Sequence, residues 1–234
     1  MLRKIIFLKL FLNFFFKNNS VFLWKIRWLF DRLHFSNDME KKYSAYIASR
    51  KNIRLDLKEY LKILPKYLSN NNLEIGCNFG HTLTTLAKKY PKKNFYGQDI
   101  SYQYINFLKK KFKNNPNLNF TFKKINYQNL DKYGTIFTSG TLMYFNKNKL
   151  KKLFKNFKKY LIIYEMSPVI GSNIDKYTLY KSKIGVILHD YKKIMKETNL
   201  KFIYKKKDIY FKEWTIKDKN KILTKAIINI FKKI

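Results

Sequence analysis

The stretch LEIGCNFG, residues 73–80, decides the fold of this chain, because it has the order of a strand, a glycine turn and the start of a helix. Leu73 to Ile75 are typical of the end of a buried strand. Gly76 and Gly80 allow a tight turn and a close approach of the backbone to a ligand. The helix that follows would direct its unpaired N–H groups at whatever lies over these glycines.

A second strand and an acidic residue follow at the spacing that a nucleotide site requires. YGQDIS, residues 96–101, ends this strand and places Asp99 at its tip. Asp99 lies about 20 residues after the glycine turn, which is the separation at which a carboxylate meets a ribose in nucleotide-binding βαβ units. A dehydrogenase would read G-x-G-x-x-G, and this stretch does not. The alternative is a βα turn of an α/β protein without a cofactor.

This pattern resembles the class I S-adenosylmethionine-dependent methyltransferases, and the resemblance covers residues 73 to about 216. It implies an α/β fold with a Rossmann-like doubly wound sheet of seven strands, mostly parallel with the last strand antiparallel. It also implies S-adenosyl-L-methionine as the cofactor. Asn78 stands where the family often has a glycine, and asparagine tolerates the positive φ of such a turn. The residues that the first two strands would bring to the cofactor are Glu74, Gly76, Cys77, Asn78, Gly80, Asp99 and Ile100.

The resemblance extends to the loops after two later strands. In the family, the loop after the third strand supplies an acidic or polar side chain to the adenine amino group, which implies Asn126 here, with Tyr127 against the adenine ring. The fourth strand and its loop resemble residues 134–144. Ligands of open α/β sheets lie beyond the carboxyl ends of the strands. Ser139 and Gly140 are therefore predicted at the cofactor and Tyr144 at the acceptor, with simple loop packing as the alternative for Tyr144.

Two residues are candidates for a general base. Transfer of a sulfonium methyl group is an in-line displacement, in which the protein mainly aligns the nucleophile. An oxygen acceptor also needs its proton removed. Glu165 is predicted at the tip of a fifth strand over residues 160–164, and His189 precedes a predicted helix. The alternatives are a surface ion pair for Glu165 and a structural role for His189.

The net charge of +35 over 234 residues favours association with anionic membranes, acidic substrates or nucleic acid. Only five of the 50 basic residues are arginine, however, and the abundant lysine, asparagine, isoleucine, phenylalanine and tyrosine all have A/T-rich codons. A compositionally biased genome therefore explains the charge without selection for a polyanion. Motifs of the Asn-Pro-Pro-Tyr type, which serve methylation of base amines, do not occur. A small-molecule acceptor is therefore predicted rather than a nucleic acid.

Cysteine and histidine usage predicts no metal site. The lone Cys77 excludes an internal disulfide and a cysteine zinc cluster. The three histidines, His34, His81 and His189, are widely spaced and show no metal-ligand pattern.

Residues 1–36 are predicted to form a hydrophobic, basic, helical extension. Its apolar runs, residues 5–16 and 21–30, are interrupted by lysine, arginine and asparagine and are too short for a membrane-spanning helix. No small-residue cleavage site follows, so a secreted location is not predicted and a cytoplasmic one is. One interpretation is a pair of amphipathic helices in a membrane interface, which would make the protein peripheral through residues 1–35. The other is a cap packed on the catalytic domain or on a second subunit.

Residues 37–72 are predicted to be a helical lid, and residues 73–234 the cofactor-binding domain. In the family such a segment often lies over the cofactor pocket, which implies Tyr43, Tyr46 and Arg50 as pocket residues. A solvated helix is the alternative for each of them.

Residues 201–206 and 209–216 are predicted to be the last two strands of the sheet, forming an antiparallel hairpin. A basic C-terminal helix is predicted over residues 219–233.

Three functions follow from these observations. The first is an enzyme that methylates a small molecule, such as a sugar or a lipid-linked intermediate. The second is a nucleic-acid methyltransferase, which salt-dependent RNA binding would reveal. The third is a membrane-associated binding module that keeps the fold without catalysis.

Overall fold

The structure, a computed structural model, describes residues 38–51, 55–168, 187, 189–215 and 221–234. The predicted extension, residues 1–36, lies outside this part of the chain, and so does the choice between membrane helices and a packed cap. Within the described ranges, no helix combines the length and the hydropathy that crossing a bilayer requires.

Seven strands form a single sheet. They are β1 (Asn71–Ile75), β2 (Asn94–Asp99), β3 (Leu118–Phe122), β4 (Thr135–Ser139), β5 (Tyr160–Pro168), β6 (Phe202–Thr215) and β7 (Lys221–Lys233). Their order across the sheet is β3-β2-β1-β4-β5-β7-β6. β7 is antiparallel to its neighbours β5 and β6, and the other four pairings are parallel. The predicted fold class is therefore confirmed.

Helices cover both faces of the sheet. They are α1 (Met39–Lys51), α2 (Leu55–Ile63), α3 (His81–Lys89), α4 (Tyr102–Lys111), α5 (Lys147–Asn156) and α6 (Tyr191–Lys196). Short 3-10 helices follow α2 and the strands β3 and β4, at Leu64–Tyr67, Tyr127–Asn129 and Leu142–Tyr144. The apolar residues of α2, α3 and α4 pack in one core cluster, and those of α5 and α6 pack in a second.

The strands of the sheet centre supply both core clusters, because successive side chains of a strand point to opposite faces. In β5, Ile162 packs with α2 to α4, whereas Leu161 and Ile163 pack with α5 and α6. β1 lies between β2 and β4, with Leu73 opposite Tyr96 on one side and Ile136 on the other. The carboxyl ends of these three parallel strands therefore open at the same edge of the sheet.

The C-terminal part of the chain corrects two predictions. Residues 219–233 were predicted to form a helix, but residues 221–233 form β7, so this prediction is wrong. The two strands predicted over residues 201–206 and 209–216 are one strand, β6, with an irregularity in register between Asp208 and Tyr210. A β-bulge of this kind adds a residue to one strand without ending the ladder.

The fifth strand is longer than its sequence pattern predicts. It continues from Tyr160 to Pro168 because β7 pairs with it along its whole length. Glu165 therefore lies within the strand, opposite Ile227, and not at the strand tip. This position removes its side chain from solvent, and the exposed fraction of Glu165 is 2%.

Candidate active site

A cavity of about 630 Å³ lies at the carboxyl ends of β1, β2 and β4. This is the edge at which open α/β sheets bind ligands. Its wall contains most of the residues predicted to bind the cofactor and one of those predicted to bind the acceptor. These residues are Glu74, Gly76, Cys77, Asn78, Asp99, Ile100, Ser139, Gly140 and Tyr144.

The turn after β1 has the conformation that its glycines predict. Gly76, Asn78 and Gly80 have positive φ angles of 73°, 50° and 68°. The N–H of Gly76 donates to the carbonyl of Gln98 at 2.7 Å, which ties the turn to β2. A Cβ atom on Gly80 would touch Phe120 and Leu108, and Gly80 precedes α3. Gly80 thus serves the packing of the turn, and the structure does not place it on the cavity wall.

The Asp99 carboxylate joins the end of β2 to the glycine turn. Its Oδ2 accepts a hydrogen bond from the N–H of Asn78 at 2.9 Å, and its Oδ1 accepts one from the N–H of Ser101 at 2.9 Å. Burial raises the pKa of Asp99, while these N–H groups act in the opposite direction. A carboxylate offers about four acceptor positions, so both oxygens can still accept bonds from a ligand.

Two further features of the wall fit an adenosyl cofactor. The Oδ1 atom of Asn78 is buried and has no hydrogen-bond partner among the described residues, so a ligand donor would satisfy it. Gly140 has a φ of 67°, and no described atom lies within 4 Å of the position that its Cβ would occupy. The backbone is therefore open to a ligand beside β4.

The two candidate bases are buried and lie behind the cavity. The Oε1 atom of Glu165 accepts hydrogen bonds from the N–H groups of Thr141 and Leu142, both at 2.7 Å. Nε2 of His189, whose exposed fraction is 0%, donates to the carbonyl of Phe145 at 2.9 Å. The two side chains therefore hold opposite ends of the loop after β4, residues 141–145. Neither is part of the cavity wall, which contains Thr141, Tyr144 and Phe145 of that loop.

Three other predicted residues lie apart from the cavity or outside the described side chains. The ring of Tyr43 packs in an aromatic cluster with Phe79, Phe107 and Phe112, and it does not line the cavity. Asn126 is exposed, and its side chain caps the 3-10 helix Tyr127–Asn129. The side chain of Arg50 is outside the part that the structure describes.

The rest of the wall includes two residues that the sequence predicts, Tyr46 and Tyr127, and several that it does not. Beside Asn126, the residues that face the cavity are Ile125 and Tyr127. Tyr46 of α1 lies on the wall, as predicted for the lid, with its ring 5.3 Å from that of Phe79. The residues that the sequence does not predict are Ile75, His81, Thr82, Gln98, Lys123, Lys124, Ile125, Thr141, Phe145 and Lys149. Lys123 and Lys124 directly follow β3, and Thr141 lies two residues after β4. For these three, the position after a strand is the signal that could have identified them.

We expect the variants Glu165→Gln and His189→Gln to change the pH dependence of stability in opposite directions. Burial raises the pKa of Glu165 from 4.5 to about 7 and lowers that of His189 from 6.5 to about 4. The Glu165 contribution to stability is therefore complete below pH 4.5 and lost as the pH rises through about 7. The His189 contribution is complete above pH 6.5 and lost as the pH falls through about 4.

Urea unfolding between about pH 4 and about pH 8 measures this effect. A glutamine at 165 can still accept both N–H bonds but cannot ionise, so Glu165→Gln should gain stability over the parent protein as the pH rises. His189→Gln should gain relative stability as the pH falls. Differences from the parent that are constant over this range would contradict the burial of the two groups.

Residues 73–162 match the model of a family described as "Methyltransferase domain". A curated relative, malonyl-[acyl-carrier protein] O-methyltransferase 2 of Ilyobacter polytropus, is 37% identical over 80 residues, which are 34% of this chain and 31% of that protein. The chain thus spans about a third of the length of this curated relative.

Solved structures share the fold at low identity. Phosphoethanolamine N-methyltransferase 2 of Haemonchus contortus, in complex with phosphomonomethylethanolamine and S-adenosylhomocysteine, has a TM-score of 0.60 at 11% identity. That match covers 87% of this chain and 59% of the other. The YcgJ protein of Bacillus subtilis has a TM-score of 0.55 at 12% identity, over 76% of this chain and 97% of the other.

The match over residues 73–162 and the order of the strands confirm the predicted resemblance to the class I S-adenosylmethionine-dependent methyltransferases. The predicted cofactor, S-adenosyl-L-methionine, agrees with this family and with the residues of the cavity wall.

Proposed function

We propose that this chain transfers the methyl group of S-adenosyl-L-methionine to a small-molecule acceptor. One observation carries the proposal: the carboxylate of Asp99 and the open backbone at Gly140 face one cavity at the carboxyl edge of the sheet, and the glycine turn at Gly76 is part of its wall. When bound, the cofactor supplies an electrophilic methyl group on a sulfonium.

Different residues of the cavity wall contact different parts of the cofactor. Asp99 accepts hydrogen bonds from the ribose hydroxyls, since it stands at the end of β2 with acceptor positions to spare. The apolar wall around the adenine ring is formed by Ile100, Ile125 and Tyr127. Asn78, with its buried Oδ1, accepts a bond from a ligand donor at the turn.

The loop at residues 141–145 forms the acceptor side. Thr141, Tyr144 and Phe145 line the cavity beyond β4. Glu165 and His189 act as positioning residues, because they bind the backbone of this loop and do not reach the cavity. Alignment of the acceptor with the methyl group is then the main contribution of the protein to the rate.

The size of the cavity is that of a site for small ligands. About 630 Å³ lies within the range of about 300–1,000 Å³ that is usual for ligand sites. The relative from Ilyobacter is named for a malonyl acyl-carrier-protein acceptor, and the Haemonchus structure holds phosphomonomethylethanolamine. Because one fold serves such different acceptors, the residues of the site must select the acceptor.

Two measurements test the proposal. Calorimetry should detect binding of S-adenosyl-L-methionine, and incubation with methyl-labelled cofactor and fractionated cell extract should label the small-molecule fraction. Absence of binding at millimolar cofactor would refute the proposal. Label in RNA or DNA would support the nucleic-acid alternative instead. Peripheral membrane contact through residues 1–35 stays a prediction, which flotation with liposomes would test by deletion of that segment.

A further inference from the structure

The first half of helix α5 has a lysine at every second position, namely Lys147, Lys149 and Lys151. Lys147 and Lys151 lie about one turn apart, and both bind Glu197, with Nζ–O distances of 2.7 and 2.8 Å. Lys149 points about 200° away from each of them around the helix. It is half-buried on the cavity wall, and none of the described carboxylates lies within ion-pair distance of it.

Lys149 lies on the acceptor side of the cavity. α5 begins directly after the loop at residues 141–145, which follows β4. The other two lysines of the wall, Lys123 and Lys124, follow β3. Three strand spacings, or about 14 Å, separate β3 from β4 in the sheet. The adenosine end and the acceptor end of the cavity therefore carry separate lysines.

The acidic residues of the wall belong to other strands than β4, and neither forms an ion pair with Lys149. Glu74 belongs to β1 and Asp99 ends β2. In the loop that precedes α5, the wall contains Tyr144 and Phe145, which are partly buried. An ammonium group loses hydration when a ligand displaces water from such a site, and an anionic partner offsets that cost.

We propose that the acceptor carries an anionic group, a carboxylate or a phosphate, and that Lys149 binds this group. The inference rests on the proposed function and adds the substrate class to it. The aminoacyl carboxylate of the cofactor offers the same chemistry as an acceptor carboxylate. The experiment therefore measures the effect of Lys149 on cofactor binding and on anion binding separately.

The test uses the full chain saturated with S-adenosylhomocysteine. Malonate, inorganic phosphate and the neutral malonamide are titrated by calorimetry at constant ionic strength. We expect malonate or phosphate to bind and malonamide not to bind. Lys149→Met should weaken anion binding at least about tenfold, which is about 1.4 kcal/mol, while leaving the affinity for S-adenosylhomocysteine unchanged. Lys149→Arg should keep most of the anion affinity.

Lys152→Met is the matched control, because Lys152 is on the same helix, is exposed and does not line the cavity. It should bind the anions as the parent protein does. Anion binding that is absent, or equal in the parent and Lys149→Met, would overturn this inference while leaving the proposed function standing. A tenfold loss of S-adenosylhomocysteine affinity in Lys149→Met would assign the lysine to the cofactor instead. Failure of the parent protein to bind S-adenosylhomocysteine would remove both proposals.

Discussion

Replacement of Asp99 by alanine is expected to lower the affinity for S-adenosyl-L-methionine at least about a hundredfold. The side chain would lose two charge-assisted hydrogen bonds to the ribose, each with a net value of about 1.5–3 kcal/mol. It would also release the N–H of Asn78, which Oδ2 of Asp99 holds at 2.9 Å, and so loosen the turn that faces the cofactor. Isothermal titration of the parent and the variant measures the change.

The variant Asp99→Asn separates these two effects. Asparagine keeps one acceptor oxygen for the turn but lacks the charge, so we expect a smaller loss of cofactor affinity, about tenfold, with near-parental stability. Thermal unfolding of both variants shows whether the fold survives. If Asp99→Ala remains folded and binds the cofactor as the parent does, the carboxylate is not part of the cofactor site.

Replacement of Gly76 by alanine is expected to cause the largest loss of stability among the substitutions considered. Gly76 has a φ of 73°, and a non-glycine residue in this left-handed region costs about 1–3 kcal/mol. A Cβ atom at this position would overlap the side chain of Thr141, and such overpacking adds about 1–3 kcal/mol. The free energy of unfolding in urea measures the sum, and cofactor binding should be lost with it.

Gly140→Ala is the matched control for Gly76→Ala. Gly140 has a similar φ of 67°, but no described atom lies within 4 Å of its would-be Cβ. The difference between the two variants therefore isolates the overlap with Thr141. Addition of Thr141→Ala to Gly76→Ala removes two of the three overlapping atoms and should restore part of the stability. Equal losses for Gly76→Ala and Gly140→Ala would contradict this account of the packing.

The cofactor half of the site is largely predictable from sequence because its determinants are local. The positive φ angles follow from glycine and asparagine at fixed spacing, and Asp99 follows from the end of the next strand. Asn199 is also in the left-handed region, with a φ of 58°, which asparagine adopts more readily than most other residues. Such features depend only on residues that are close to them in the sequence.

The acceptor half depends on contacts that are distant in sequence. Glu165 contacts Thr141 and Leu142 across more than twenty residues, and His189 contacts Phe145 across 44. Their buried positions result from the pairing of β7 with β5 and from the packing of α6. No local pattern distinguishes a buried glutamate of this kind from an exposed one at a strand tip.

β7 was predicted to be helical for a related reason. Residues 226–231 are all buried, because β7 lies inside the sheet with strands on both sides and core on both faces. A strand that is buried on both faces lacks the alternation of polar and apolar residues by which strands are identified. Periodicity alone cannot separate such a strand from a buried helix.

The place of β7 between β5 and β6 also affects how the nascent protein matures. β6 is translated before β7, yet among the described residues it pairs with β7 alone. β7 also pairs with the edge of β5 that faces away from β4. Until residues 221–233 leave the ribosome, the edge of β5 that will pair with β7 has no partner strand. β6 likewise has no strand with which to pair. An exposed strand edge recruits other chains. Ribosomes that pause between β6 and β7 should therefore yield nascent chains that need a chaperone.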